Sequence, residues 1–223
     1  EWIKARTALL VKEKQHSKLR DELSAARRQL PWVLVDKRYD FDGANGTETL
    51  ADLFEGRSQL IIYHFMFHPD WKAGCKSCSF ITDHLQGAIA HLNQRDVSFV
   101  VVSRAPLATL DAFKARMGWT HKWVSSHERD FNYDFNVSFT QEQIDSGERV
   151  YNYASSSFPS QEAPGLSVFT RQDGAIYHSY STYSRGLDQF IGAYNYLDMV
   201  PKGRDEQGLS YGMEWLKLHD EYD

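Results

Sequence analysis

The sequence predicts an α/β fold, a mixed sheet flanked by helices, with a helical extension before it and a tail after it. Three observations lead there. Two short runs, 59–67 and 97–103, are apolar, β-branched and aromatic, the pattern of strands buried on both faces. Residues 78–94 and 106–117 change to a helical period, so strand, helix, strand, helix reads as a parallel βαβ unit in a doubly covered sheet. Asp173-Gly174 then separates 166–170 from 175–181, a strong hairpin signal between alternating strands.

In chain order, 2–29 is helical in character, with a break expected near Gln15-His16-Ser17 and an apolar stripe of Leu9, Leu10, Leu19, Leu23 and Ala26. Packing on the domain is the ordinary use of such a stripe, and a dimerisation arm is the sharper one. Leu30-Pro31-Trp32 ends the helix. Strands are expected at 33–35 and 39–41, an Asp42-Gly43 turn next, and a short helix over 49–54 capped by Thr47 or Thr49. Residues 119–163 contain a strand at Trp123-Val124 but are otherwise polar and irregular, an insertion within a core domain spanning 31–198. A final helix is expected at 187–197, and 199–223 is expected to lie across the surface.

Composition narrows the classes. The chain of 223 residues has 42% hydrophobic and 25% charged residues, enough for one sizeable core. A formal net charge of −5 argues against nucleic acid. No apolar run reaches membrane-spanning length, and no charged-then-apolar leader opens the sequence, so the expected location is cytoplasmic.

The two cysteines both lie in Cys75-Lys76-Ser77-Cys78. A pair this close cannot staple a fold, because it closes almost no loop. It sits where a buried strand hands over to a helix. The free N–H groups of a first helical turn stabilise a thiolate, and Lys76 adds positive charge beside Cys75. Cys78 shares a stripe with Ile81, Leu85, Ala88, Ile89 and Leu92, so it is expected to be buried with a raised pKa. Cys75 precedes the stripe and is expected to be the exposed thiol with a lowered pKa. An exposed nucleophile with a buried resolving thiol suits disulfide exchange.

The order of elements resembles the thioredoxin-like fold, and the strands and short helix before 59 resemble its peroxiredoxin-type branch. The runs Tyr63-His64-Phe65-Met66-Phe67, Pro69-Asp70-Trp71, Gly74-Cys75-Lys76-Ser77-Cys78-Ser79, Asp130-Phe131-Asn132-Tyr133-Asp134-Phe135 and Tyr180-Ser181-Thr182-Tyr183-Ser184-Arg185-Gly186-Leu187-Asp188 look like a bacterial domain-of-unknown-function family whose members are called predicted dithiol-disulfide oxidoreductases. The resemblance implies a thiol-disulfide oxidoreductase with Cys75 and Cys78 as its catalytic pair. It also implies that Pro164, just before a core strand, is cis and faces the thiols. Gly74 stands where thioredoxin has Trp, Lys76-Ser77 where it has Gly-Pro, and Lys72 (before Cys75) or Cys75 itself (before Cys78) where a peroxiredoxin has Thr three residues before its nucleophile. That last departure weighs against peroxidase activity, which is kept as an alternative.

Other residues complete this reading. His64 is a candidate proton acceptor for Cys78, or else a hydrogen-bonded core histidine. His68 and Trp71 either shape a partner groove or simply pack. The cysteine spacing also admits a metal site completed by His64, His68 or His84, although a second paired knuckle is missing. A third possibility is a binding module with vestigial thiols, using the aromatic stretches 119–139 and 177–183. No cofactor is expected. The expected partners are a protein or small-molecule disulfide and a second copy of the chain, held through 2–29 and 199–223.

Overall fold

The computed structural model describes residues 1–223. In chain order the elements are α1 (Trp2–Arg28), β1 (Val33–Leu34), β2 (Asp40–Gly43), β3 (Gly46–Thr49), β4 (Gln59–His64), α2 (Lys76–Thr82), α3 (Gln86–Gln94), β5 (Val97–Ser103), α4 (Leu107–Arg116), β6 (Lys122–Ser125), α5 (Phe131–Asp134), α6 (Gln141–Ser146), β7 (Arg149–Tyr151), β8 (Ala154–Ser156), β9 (Gly165–Gln172), β10 (Ala175–Tyr183) and α7 (Gly192–Leu197). Eight strands form one mixed sheet in the order β1-β10-β9-β4-β5-β6-β2-β3, and β7-β8 is a separate hairpin.

β4 lies in the middle. It runs parallel to β5, with His64 opposite Val102, and antiparallel to β9, with His64 opposite Gly165. β5 runs parallel to β6, and β9-β10 close the other side as an antiparallel hairpin. Asp173 and Gly174 both have positive φ, 52° and 82°, as a two-residue turn of the primed type requires. Parallel βαβ units beside this hairpin, with the cysteines at the head of the helix after β4, make a thioredoxin-like fold.

The sheet separates two cores because side chains alternate along each strand. On one face Tyr63, Phe65, Val101 and Leu166 pack with Cys78, Ile81, Leu110 and Trp123. On the other, Leu60, Ile62, Val100, Val102 and Phe169 pack with Phe41, Leu53, Phe54 and Phe131.

Several expectations need correcting. α1 is continuous through Gln15-His16-Ser17 and buries no side chain; Leu9 and Leu19 are 51% and 62% exposed. It does not pack its stripe on the domain. Arg27 stacks over Tyr180 near its end, 5.3 Å from the ring centroid. Asp42-Gly43 is strand rather than turn; the chain reverses at Ala44-Asn45. The 49–54 segment is a single 3-10 turn, Asp52–Phe54, in which Thr49 Oγ1 accepts from the Asp52 N–H and the Asp52 carboxylate accepts from Thr49. Trp123-Val124 belongs to β6 in the main sheet, so the irregular stretch begins only after Ser125.

Two predicted helices are interrupted. The 78–94 helix breaks at 83–85, because Asp83 accepts from Trp119 Nε1 (2.8 Å) and contacts His219, while His84 Nε2 accepts from the Ala193 N–H (3.0 Å). The 187–197 helix is a 3-10 segment, Ser184–Phe190, followed by α7. Gly192 lets α7 approach the break between α2 and α3, since a Cβ there would lie 2.9 Å from His84 Cδ2. No helix is long and apolar enough to cross a membrane.

Candidate active site

The site is built on the chain just beyond β4. Phe65 N–H donates to the Val102 carbonyl (2.9 Å) and Ala105 N–H to the Phe67 carbonyl (2.8 Å), which carries the extended course of β4 past its last paired residue. At Met66 the chain makes two bonds to the motif. The Cys75 N–H donates to the Met66 carbonyl at 3.1 Å, and the Met66 N–H donates to Cys78 Sγ at 3.5 Å. Gly74 makes the approach possible, because a Cβ there would fall 2.6 Å from the Phe65 ring. That is the physical reason for glycine where thioredoxin carries a large side chain.

Cys75 is the N-cap of α2 and is half-buried; Cys78, one turn on, is 1% exposed. Both thiols are free. The Cys75 thiol is lowered to about 7, chiefly by the Cys78 S–H donating toward it. Burial works against this, and the backbone N–H groups of Cys78 and Ser77 support it. Cys78 is pushed well above the ordinary thiol range, first by burial and then by Cys75 beside it. The two thiols therefore differ in the direction needed for one to attack and the other to wait.

The surrounding residues fall differently from the sequence reading. Lys76 Nζ is turned away to the Glu214 carbonyl in the tail, at 2.8 Å, so the Cys75 thiolate is stabilised by neutral donors instead. His64 points to the opposite face of the sheet. It stacks on Phe131 and Phe135, its Nε2 meets Ser167 Oγ at 2.9 Å, and burial lowers it to about 3. It is the core histidine and not the proton acceptor of Cys78. The residue that does face the thiols is its neighbour Tyr63. The run 59–67 is apolar on both faces, so composition does not say which parity meets the motif; alternation from a known contact would have.

Pro164 is preceded by a trans bond, contrary to expectation, since the chain contains no cis peptide. The reason lies in the segment before it. Ala163 N–H donates to the Val137 carbonyl (2.8 Å) and Phe139 N–H to the Gln161 carbonyl (2.9 Å), so the strand is entered from an already extended chain. The Pro164 carbonyl accepts from Tyr151 Oη at 2.7 Å, and the same oxygen accepts from the Ser184 N–H at 3.0 Å. Tyr151, which the polar run 141–153 concealed, thereby ties Pro164 to the start of the 3-10 segment at Ser184.

His68 and Trp71 sit on the loop before the motif with ring centroids 6.2 Å apart, and Trp71 packs against the core. His68 Nδ1 accepts from the Asp70 N–H (3.2 Å), and burial lowers its pKa. The histidines required by a metal site are thus engaged elsewhere: His64 behind the sheet, His68 on its own loop, and His84 between the Phe80 carbonyl and the Ala193 N–H. The aromatic stretch 119–139 is core, with Trp119, Trp123, Phe131 and Phe139 all buried, while 177–183 keeps Tyr177 and Tyr180 half-exposed.

Such a sheet, with a free dithiol at the head of the helix after its central strand, defines a thioredoxin-fold dithiol protein. The chain belongs to DUF899, a family of bacterial proteins of unknown function whose pattern matches residues 1–222. Among solved structures it is similar to the peroxidoxin BcpB from Mycobacterium tuberculosis, at 12% identity over 74% of this chain and 94% of that one, TM-score 0.49. It is also similar to a mutant of Xanthomonas campestris peroxiredoxin Q, at 14% identity over 71% and 90%, TM-score 0.45. A third is a secreted Mycobacterium tuberculosis disulfide oxidoreductase homologous to Escherichia coli DsbE, at 13% identity over 69% and 92%, TM-score 0.40. No curated protein sequence matches the chain.

Proposed function

We propose that the protein is a thiol–disulfide oxidoreductase in which Cys75 attacks a disulfide and Cys78 resolves the mixed disulfide. The observation that carries this reading is the asymmetry of the pair: Cys75 half-buried and lowered to about 7, Cys78 buried and raised. A thiolate near ambient pH is the most effective attacking sulfur, and a protonated neighbour that donates to it lowers its pKa further. Attack by Cys75 breaks the substrate disulfide and releases one substrate thiol. Cys78 then attacks Cys75 Sγ, the second substrate thiol leaves, and the protein holds a Cys75–Cys78 disulfide.

The substrate is a protein or small-molecule disulfide, and no cofactor enters the cycle. Insulin or glutathione disulfide serves as the test substrate, with dithiothreitol as terminal reductant. The reading expects turnover by the intact chain, none by Cys75→Ser, and a trapped mixed disulfide with Cys78→Ser. Equal turnover by Cys75→Ser would end it.

A further inference from the structure

Tyr63 is 1% exposed, and its hydroxyl is buried without any hydrogen-bond partner. Such a group is rare in a folded protein and asks for a physical explanation. Its position supplies one. Tyr63 lies on the face of β4 that packs against α2, and the ionisable group acting on it most strongly is Cys78, with Cys75 next. The other polar groups around the thiols are already committed. Met66 N–H donates to Cys78, Tyr151 Oη serves Pro164 and Ser184, and Lys76 serves Glu214. The Ser77 hydroxyl acts on Cys75, so the Tyr63 O–H is the donor that faces Cys78, and burial keeps it protonated.

We propose that Tyr63 is a catalytic residue of the resolving step, its hydroxyl donating a hydrogen bond to the Cys78 sulfur as that sulfur becomes an anion. The inference rests on the exchange reading above and names a further member of the same site. In the reduced protein Cys78 spends its proton on the Cys75 thiolate, and the Tyr63 hydroxyl faces its sulfur without a full hydrogen bond, already lowering the Cys78 pKa against burial. Once Cys75 is bound in the mixed disulfide, Cys78 must become the nucleophile in a dry pocket. Cys78 ionises first, its proton leaving through the open substrate side; its thiolate forms the Cys75–Cys78 bond as the Cys75–substrate bond breaks, and the departing substrate thiolate takes up a proton in exchange. No further oxidant or reductant enters. A hydroxyl that makes no full hydrogen bond at rest and bonds the sulfur fully once it is charged favours the step over the resting state.

The test isolates Cys78 from turnover. In a Cys75→Ser background, Cys78 alkylation by iodoacetamide is followed against pH with Tyr63 and with Tyr63→Phe. Loss of the donor is expected to raise the Cys78 midpoint by about one pH unit, a tenfold loss of thiolate at fixed pH. Carbon-13 spectra of labelled tyrosine in the Tyr63 form are expected to show its ring Cζ shifting with the same midpoint. The wild-type background should accumulate mixed disulfide when Tyr63→Phe is introduced. An unchanged midpoint with a Tyr63 signal that ignores Cys78 ionisation overturns the proposal, whatever happens to thermal stability. Loss of turnover in every form, with the midpoint shift intact, would instead remove the exchange reading and leave the Tyr63–Cys78 bond standing.

Discussion

The Met66 N–H donates to Cys78 Sγ at 3.5 Å, while the carbonyl of the same residue accepts from the Cys75 N–H at 3.1 Å. One peptide position at the end of the central strand therefore holds both ends of the dithiol. Cys78 is kept deep and Cys75 is kept at the rim, so their different chemistry is a property of the backbone path rather than of Lys76.

The first prediction concerns the coupling between the thiols. Because the Cys78 S–H is the largest influence lowering Cys75, removing it with Cys78→Ala should move the Cys75 midpoint up from about 7 toward the free-thiol value. Cys78→Ser, which keeps a donor, should recover part of the loss. Alkylation rate against pH measures both. If Cys78 in the Cys75→Ser form proves the faster thiol at neutral pH, the assignment of roles is reversed and peroxide becomes the substrate to try.

His64 offers a check on the division of the sheet. His64→Phe should leave disulfide turnover within about twofold, since residue 64 faces away from the thiols and Ser167 keeps its bond to Ser181 (2.8 Å). Stability should respond to pH. A histidine lowered to about 3 stays neutral in the folded chain while the unfolded chain protonates near 6.5, so stability is lost as pH falls through that window. Between pH 7.5 and 5 the wild type should lose about 2 kcal/mol more than His64→Phe in urea unfolding.

Glu162 works in the opposite sense. It is 1% exposed, paired with Arg104 at 2.7 Å and bonded by Ser138, yet burial still raises its carboxyl to about 7. The folded chain then holds a proton that the unfolded chain has released above pH 4.5, so stability is lost as pH rises toward 7. From pH 5 to pH 8 the wild type should lose about 2–3 kcal/mol more than Glu162→Gln, with His64 titrating equally in both. Parallel unfolding curves for the two proteins would contradict this.

The tail closes over the site helix. Leu216 and Leu218 are buried, Trp215 meets Phe80 with ring centroids 5.8 Å apart, and Arg116 bonds both Asp220 and Glu221. Leu218→Ala should cost about 2–4 kcal/mol and make Cys78 more accessible to a thiol reagent. Unaltered stability and reactivity would mean that the tail is not seated as described.

Part of the tail packs within its own chain through Leu216 and Leu218, while Met199, Val200, Tyr211 and Tyr222 stay exposed, as do the stripe leucines of α1. We propose a dimer formed through α1, whose Trp2, Ile3, Leu9, Leu19 and Leu23 are exposed, together with the exposed residues of the 199–223 tail. Sedimentation should show a dimer for the whole chain and a folded monomer, with a lower and concentration-independent melting temperature, after deletion of 1–28. A monomeric whole chain rejects the proposal.

The strands of the core were legible in the residues themselves. Val97–Ser103 coincides with its expected run, and Asp173-Gly174 turns where the alternation on either side required it. The placement of Cys75 and Cys78 at a helix start was equally local, since a change of period marks the start and burial follows the stripe. Other features depend on partners distant in sequence. No Gly or Pro announces the break at 83–85; Trp119, Ala193 and His219 create it by claiming Asp83 and His84. Whether Tyr63 or His64 faces the thiols could not be read from a run apolar on both faces, because packing on both sides erases the alternation that reveals orientation. Lys76 stands beside Cys75 in the sequence, but the tail carbonyl of Glu214 takes its ammonium. Local periodicity and turn chemistry thus determine the elements and where the dithiol lies among them. Which side chains surround the dithiol, and which stay free to act on it, is decided only when remote segments compete for the same donors and acceptors.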